Sequence, residues 1–426
     1  MDIIKKFGDM VGERSIRDPE KARKLLLTGY RLQEKRLQLF PDRKLPASGQ
    51  YVARVVMQNI IKALAKPDDT ALVSIFVPGE LLTAAGLTPY SVEAMSCFIA
   101  GTRCEQAFLA QTESEGFPET MCSYHRVFLG ASMTGLVPKP KCTIYTNLAC
   151  DGNMMTFPYL KQKYQIPGFY IDVPYEKNQD SISYVADQLR ELKKFLEDVG
   201  GKKISEQSVQ RAVANSNEAA SYYSSQLALR KDHDPVTSLT NELYAIFMCH
   251  LLAGSEESLK YTKMLLEDGK KAPKGEGLHI LWMHMMPFLQ EPVKDVFNYS
   301  QNVHIRACDF VADGFQRMQA SDPYEALAEK MVNCIYNGSV KQRIRRAQEL
   351  ANLTEADGGI LFAHWGCKGT IGASSLIKNS LENAGLPTMV LDGDGCNPAN
   401  SSDGQVSTRL QAYLEMLSEG KEEKRS

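Results

Sequence analysis

The sequence predicts an α/β protein with two parallel sheets, each covered by helices, preceded by a helical segment and separated by a helical insert. Three observations predict it. Short apolar runs such as Ala71–Val77 and Gly359–Ala363 give way to turns and then to helical spacing, the pattern of repeated βα units. That rhythm stops over residues 205–275, where the pattern is helical throughout, and it resumes after Ala272-Pro-Lys-Gly-Glu-Gly277. A chain of 426 residues is also too long for one core. The expected division is residues 1–70 helical, 71–204 a first α/β domain, 205–275 helical and 276–426 a second α/β domain.

Taken in order, Asp18 followed by Pro19 reads as an N-cap with proline at the first helical position, and Leu25, Leu26, Tyr30, Leu32 and Leu37 continue a helical spacing. A second helix from about Gln50 to Ala65 carries Val52, Val55, Val56, Ile60, Ile61 and Leu64. These helices are expected to form a cap or a subunit contact. Ala71-Leu-Val-Ser-Ile-Phe-Val77 reads as a buried strand that turns at Pro78-Gly79 into a helix through Gly86. Thr143–Tyr145 supplies a strand before Cys150, and Phe169–Val173 another, stopped by Pro174. Ser183–Val199 reads as an amphipathic helix, with Val185, Leu189, Leu192 and Leu196 on one face and Gly200-Gly201 ending it. In the second half, strands are expected at Leu278–Trp282, Val303–Ile305, Gly359–Ala363 and Thr388–Leu391, with a helix starting at Ser321-Asp322-Pro323. The alternation of short strand and helix argues for parallel sheets covered on both faces.

Composition narrows the function. The net charge of −2 argues against nucleic acid as a partner, because phosphate binding needs a basic surface. No apolar run approaches the ~20 residues that span a bilayer, and the N-terminus is polar, so a cytoplasmic location is expected with no membrane partner. Ten cysteines in such a chain are expected to be free thiols, metal ligands or catalytic groups. No Cys-x-x-Cys pair occurs, and Cys97, Cys104, Cys142 and Cys249 read as small core residues. Cys122 in Cys122-Ser-Tyr-His-Arg126, Cys150 in Thr146-Asn-Leu-Ala-Cys-Asp-Gly-Asn153 and Cys367 in Ala363-His-Trp-Gly-Cys-Lys-Gly-Thr370 read differently. Each is expected where a strand-like segment gives way to a turn and then a helix, the place where α/β proteins put ligands. These three thiolates read as ligands of an iron–sulfur cluster.

Phe76-Val-Pro-Gly-Glu-Leu-Leu-Thr-Ala-Ala-Gly86, Cys122–Arg126, Ile171-Asp-Val-Pro-Tyr175, Gly366-Cys-Lys368 and Asp392-Gly-Asp394 with Arg409 resemble, in register from about Ala71 to Leu417, the 2-hydroxyacyl-CoA dehydratase and benzoyl-CoA reductase family. The resemblance implies two flavodoxin-like parallel-sheet domains plus a helical part. It implies three cysteines holding a [4Fe-4S] cluster with one iron open, by position Cys122, Cys150 and Cys367. The implied substrate is an acyl-CoA. Removing water from a 2-hydroxyacyl thioester breaks a C–H bond at C3 that no neighbouring carbonyl acidifies; family enzymes add one electron to the thioester carbonyl, and the resulting ketyl radical expels hydroxide and acidifies that proton. The electron comes from an ATP-hydrolysing iron–sulfur activator protein, and this chain has no Gly-x-x-x-x-Gly-Lys-Ser/Thr loop of its own. A second homologous subunit or a homodimer is implied as well.

By the same resemblance Glu93 matches a carboxylate that aids proton transfer, the plainer alternative being a solvated surface group. His125, one turn from Cys122, is a candidate to hydrogen-bond a cluster sulfide or donate a proton, or else is structural. Arg126 would pair with a CoA phosphate or cover a surface, and Trp365 would shield the cluster from water. The chain departs from the family where it reads Gly395-Cys-Asn-Pro398 in place of Gln-Ala-Asp-Pro. Cys308, Cys334 and Cys396 are surplus cysteines, either bystanders or additional ligands. As ligands they would fit a related branch that carries a double-cubane [8Fe-9S] cluster, needs about six thiolates, and reduces small molecules with the same kind of activator. A benzoyl-CoA reductase-like subunit and a non-catalytic relay subunit are further alternatives. The motifs through Glu93 and Arg409 favour a single [4Fe-4S] cluster and dehydration.

Overall fold

A computed structural model describes residues 2–425. In the first half β1 (Thr70–Val73), β2 (Thr88–Ser91), β3 (Cys142–Thr146) and β4 (Gly168–Ile171) form a sheet in the order β2-β1-β3-β4. All its pairs are parallel, with Val73 opposite Ser91 on one side and Ile144 on the other. The second half repeats the order with β5 (Leu278–Met283), β6 (Val303–Cys308), β7 (Gly358–His364) and β8 (Thr388–Gly393), arranged β6-β5-β7-β8 and again parallel throughout. This is the flavodoxin-like order, and in each sheet the direction of winding reverses at the centre, between β1 and β3 and between β5 and β7. Parallel sheets need helices on both faces, so every residue of β1, β5 and β7 is buried.

The helices have local causes. Asp18 accepts a hydrogen bond from the Lys21 N–H at 3.1 Å ahead of Pro19–Leu39, and Asn178 does the same for Ser181 at 2.9 Å ahead of Gln179–Gly200. The insert consists of Glu206–Leu229, Leu239–His250 and Glu256–Lys271, started by the side chains of Ser205, Ser238 and Ser255. The helix Ala47–Ala65 packs on the insert and on β2, burying Val52, Val56, Ile60 and Leu64. It is therefore part of the core rather than a detachable cap.

Three local features differ from the sequence expectation. The first helix begins earlier, at Ile3–Arg17, where Asp2 caps the N–H groups of Ile4 and Lys5. The expected strand over Ala71–Val77 stops at Val73, because Ser74–Val77 form a turn closed by Val77 N–H to Ser74 O at 3.0 Å. β2 was not expected at all; its Pro89 is tolerated because β2 is an edge strand.

Candidate active site

The winding reversals position two of the three singled-out cysteines. Cys150 follows β3 and Cys367 follows β7, equivalent places in the two halves, and each precedes a helix, Asn153–Tyr164 and Lys368–Asn383. Cys122 is different. It begins the helix Ser123–Thr134 and is preceded by the helix Glu105–Ser114 and a loop, not by the expected strand. Packing from the other half holds it. Gly366 has φ +78°, and a Cβ there would lie 2.5 Å from the Cys122 nitrogen and 2.6 Å from its Cα, so only glycine lets the two backbones meet. Gly152, two residues after Cys150, is seated in the same way on the His125 ring, where a Cβ would lie 2.9 Å from the ring atoms. All three cysteines are half-buried and line one cavity of about 350 Å³.

Each cysteine faces a histidine. Cys122 Sγ lies 3.3 Å from His364 Nε2, Cys150 Sγ 3.3 Å from His125 Nε2, and Cys367 Sγ 3.6 Å from His284 Nε2. For His364 the tautomer follows from its other nitrogen. The Gly395 backbone N–H donates to Nδ1 at 3.1 Å, so a neutral ring carries its proton on Nε2, aimed at the Cys122 sulfur. Burial favours neutral rings at all three: it lowers His125 to about 4 and holds His284 and His364 below the usual histidine range. Burial also pushes the Cys122 and Cys150 thiols well up; the nearby Cys150 and Cys367 add to the effect at Cys122, and Glu93 and Cys367 add to it at Cys150. A positive partner would be needed to ionise them. Among the described residues no group of three or more His, Cys, Asp or Glu side chains is placed to hold a single metal ion.

Glu93 also lines this cavity. It is the second residue of the helix Val92–Gly101, which Ser91 caps by accepting from the Ala94 N–H at 3.1 Å. The side chain is buried, Oε2 has no partner, and desolvation raises its pKa, so it is not the solvated surface group of the plainer reading. The wall also includes residues that the sequence did not single out, among them His284, Phe310, Tyr336 and Arg343. His284 adopts φ +82° at the end of β5, and its N–H donates to Asp309 at 2.8 Å. Arg343 sits among Lys341, Arg345 and Arg346 and would pass for a surface residue, yet it is 4% exposed.

A family model described as 2-hydroxyglutaryl-CoA dehydratase, D-component, matches residues 74–417. The chain belongs to this family. Curated relatives agree. The (R)-phenyllactyl-CoA dehydratase alpha subunit of Clostridium sporogenes is 25% identical over 370 residues, covering 81% of this chain and 88% of its own length. The (R)-2-hydroxyisocaproyl-CoA dehydratase alpha subunit of Clostridioides difficile is 22% identical, covering 81% and 89%. A benzoyl-CoA reductase subunit of Thauera aromatica is 22% identical, covering 83% and 90%.

Within this member of the D-component family, several residues near the motifs lie away from the cavity. Cys308, Cys334 and Cys396 are buried and do not line it. Their thiols donate to His284 O at 3.7 Å, Asp313 Oδ2 at 3.1 Å and Ser96 O at 3.5 Å. Cys97, Cys104, Cys142 and Cys249 are buried core residues, as expected. Arg126 neither covers a surface nor reaches out to a ligand. It is 2% exposed, ion-paired with Glu113, and donates to the Glu119 carbonyl at 3.2 Å. Trp365 is 45% exposed and outside the cavity lining, so it does not shield the three cysteines. The divergent segment Gly395-Cys-Asn-Pro398 is organised by Asp394, whose Oδ1 accepts from the N–H groups of Cys396 and Asn397 at 2.8 and 2.9 Å. The same oxygen accepts from the Ser123 hydroxyl, tying the loop to the start of the Cys122 helix. Arg409 holds the preceding Asp392 at 2.9 Å on the surface.

Proposed function

We propose that this chain is the iron–sulfur subunit of a 2-hydroxyacyl-CoA dehydratase-like enzyme, with Cys122, Cys150 and Cys367 holding a [4Fe-4S] cluster beside the acyl end of an acyl-CoA thioester. One observation carries the reading: three thiols from two α/β halves line a single cavity, each facing a histidine nitrogen. The donor set suits the group. Cys104, Cys249, Cys308, Cys334 and Cys396 each donate to a protein oxygen, whereas the three cavity thiols are half-buried and turned toward common space. Three thiols lining one cavity match the thiolate donor set that iron–sulfur clusters take.

When bound, such a cluster supplies a low-potential electron and Lewis acidity at the iron that no thiolate holds. The chain's own residues supply the rest. His364 donates its Nε2 proton to the Cys122 sulfur and so stabilises that ligand as a thiolate. Glu93, its pKa raised by burial, is suited to carrying a proton between the substrate carbon and the departing hydroxyl. Phe76, Phe310 and Ile335 line the cavity and limit water around the reacting group. The electron donor is a separate ATP-hydrolysing iron–sulfur activator, as the family resemblance implies, and this chain, which carries no phosphate-binding loop of the Gly-Lys-Ser/Thr type, is assigned no ATP site of its own. The relatives are named as subunits, which supports a partner subunit.

Anaerobic iron and acid-labile sulfide content tests the reading. The chain is expected to hold about four irons, lost when Cys122, Cys150 or Cys367 is changed to Ser and kept when Cys308, Cys334 and Cys396 are. Native iron in all three of the first variants would sink the assignment. A count of about eight that falls with the second set would replace it by a double cubane. Glu93→Gln is expected to slow turnover with the cluster intact.

A further inference from the structure

Each of the three histidines at the cavity is held by a different part of the fold. The Gly395 N–H meets His364 Nδ1 at 3.1 Å, and Thr156 Oγ1 lies 2.8 Å from His125 Nδ1, so those two rings serve a neighbouring loop and helix as well as a cysteine. Among the described residues the His284 ring has one hydrogen-bond partner, Cys367 Sγ at 3.6 Å, an ordinary separation for the larger sulfur atom. Its Nδ1 is buried with no partner. A proton there would be a buried donor without an acceptor, which is rare and costly, so the proton sits on Nε2 and points at Cys367.

The main chain places this ring. His284 follows β5 with φ +82°, a conformation that glycine takes freely and that a side chain strains. Its surroundings hold it there. The His284 N–H donates to Asp309 Oδ1 at 2.8 Å, and its carbonyl accepts from the Cys308 thiol at 3.7 Å. Asp309 is fully buried, and its other oxygen accepts from Nε of the buried Arg343 at 2.9 Å. The ring stands edge-on to Phe310, with centroids 6.0 Å apart, and nearly parallel to His364 at 6.4 Å. A buried ion pair and a strained backbone thus support an imidazole whose one hydrogen bond goes to a cysteine sulfur. Filling space does not require this, since an apolar ring would cover the same wall without leaving Nδ1 unpaired.

We propose that His284 raises the reduction potential of the cluster by donating its Nε2 proton to the Cys367 sulfur. The inference rests on the cluster reading above and adds to it a residue that governs how readily the site accepts an electron. The thiolate is the more electron-rich when the cluster is reduced, so a donor aimed at it favours the reduced state. Asp309 and Arg343 act on the site through His284, by holding its backbone where the ring meets Cys367.

The test is a redox titration of the full-length, anaerobically purified protein followed by electron paramagnetic resonance, with iron content measured alongside. His284→Phe keeps the bulk of the ring and removes the donor, whereas His284→Gln keeps a donor near the place of Nε2. His284→Phe is expected to retain its iron and to lower the equilibrium constant for reduction about tenfold, a shift of about 59 mV to more negative potential for one electron. His284→Gln is expected to recover more than half of that shift. An unchanged potential in His284→Phe, or an equal shift in both variants, overturns the proposal and leaves the cluster reading standing. Should His284→Phe lose its iron, protein labelled with nitrogen-15 histidine decides: the reduced parent is expected to show a nitrogen coupling that His284→Gln lacks, and identical couplings overturn the proposal. Absence of any cluster in the unaltered protein overturns the cluster reading itself, and the role of His284 with it.

Discussion

Replacing Asp394 by Asn tests whether one carboxylate ties the two halves together at the site. Asp394 is 1% exposed. Its Oδ1 accepts from the Ser123 hydroxyl and from the N–H groups of Cys396 and Asn397, and its Oδ2 accepts from Asn400 Nδ2 at 2.9 Å. Asn keeps the shape and one acceptor oxygen but loses the charge, and its amide group would meet the Asn400 amide donor to donor. A hydrogen bond to a charged group contributes about 1.5–3 kcal/mol and a neutral one about 0.5–1.5. Weakening three bonds and losing the fourth, offset by a flip of the Asn400 amide, gives an expected loss of about 3 kcal/mol. For a domain of some 150–250 residues that corresponds to a fall of about 6–12 °C in the unfolding midpoint. Calorimetry or near-ultraviolet circular dichroism reads the midpoint, and iron retention on dilution reads the site. Ser123→Ala removes the other end of the same tie, so the double variant should lose less than the sum of the singles. A midpoint within about one degree of the parent, or strict additivity with Ser123→Ala, would refute the reasoning.

Gly366→Ala should leave far-ultraviolet circular dichroism intact while abolishing iron incorporation, because the added methyl falls 2.5 Å from the Cys122 nitrogen at a φ of +78°; normal iron content would show that the halves part without cost. His250 donates from Nε2 to the Phe310 carbonyl at 3.2 Å, and burial holds its pKa at about 3 against an ordinary 6.5. Between those values the unfolded chain binds a proton that the folded chain does not, so stability falls as pH falls. Relative to His250→Gln, the parent should lose about 1.2 kcal/mol between pH 6 and pH 5. Parallel stability curves for the two proteins would contradict this.

Much of the fold was legible because it is written in short apolar runs with clear stops. β5, β7 and β8 were placed almost to the residue, since buried parallel strands read as unbroken apolar segments. β2 escaped because four residues containing Pro89 carry too little signal without the neighbouring β1 that pairs them. Among the site residues, Cys150 and Cys367 were legible from the strand–turn–helix pattern. Cys122 was placed correctly in the sequence and misplaced in the fold. Nothing local marks it: its position is set by Gly366, more than two hundred residues away. The same distance hid the histidine pairing, which joins Cys122 to His364 and Cys367 to His284 across chain separations of 242 and 83 residues. Arg343 was hidden by its own company, a helix whose other basic residues face outward.

The contact between Gly366 and Cys122 has a mechanical consequence. Where domains meet through side chains, rotamer changes give the joint some travel. Here main chain rests on main chain, and no rotamer change can take up a shift at that seam. A small hinge rotation would separate Cys122 from Cys367 before it disturbed either sheet, so the spacing of the thiols acts as a gauge of whether the halves are shut. The rate at which a chelator strips iron from the folded protein would then be a clock for that opening, readable without any substrate.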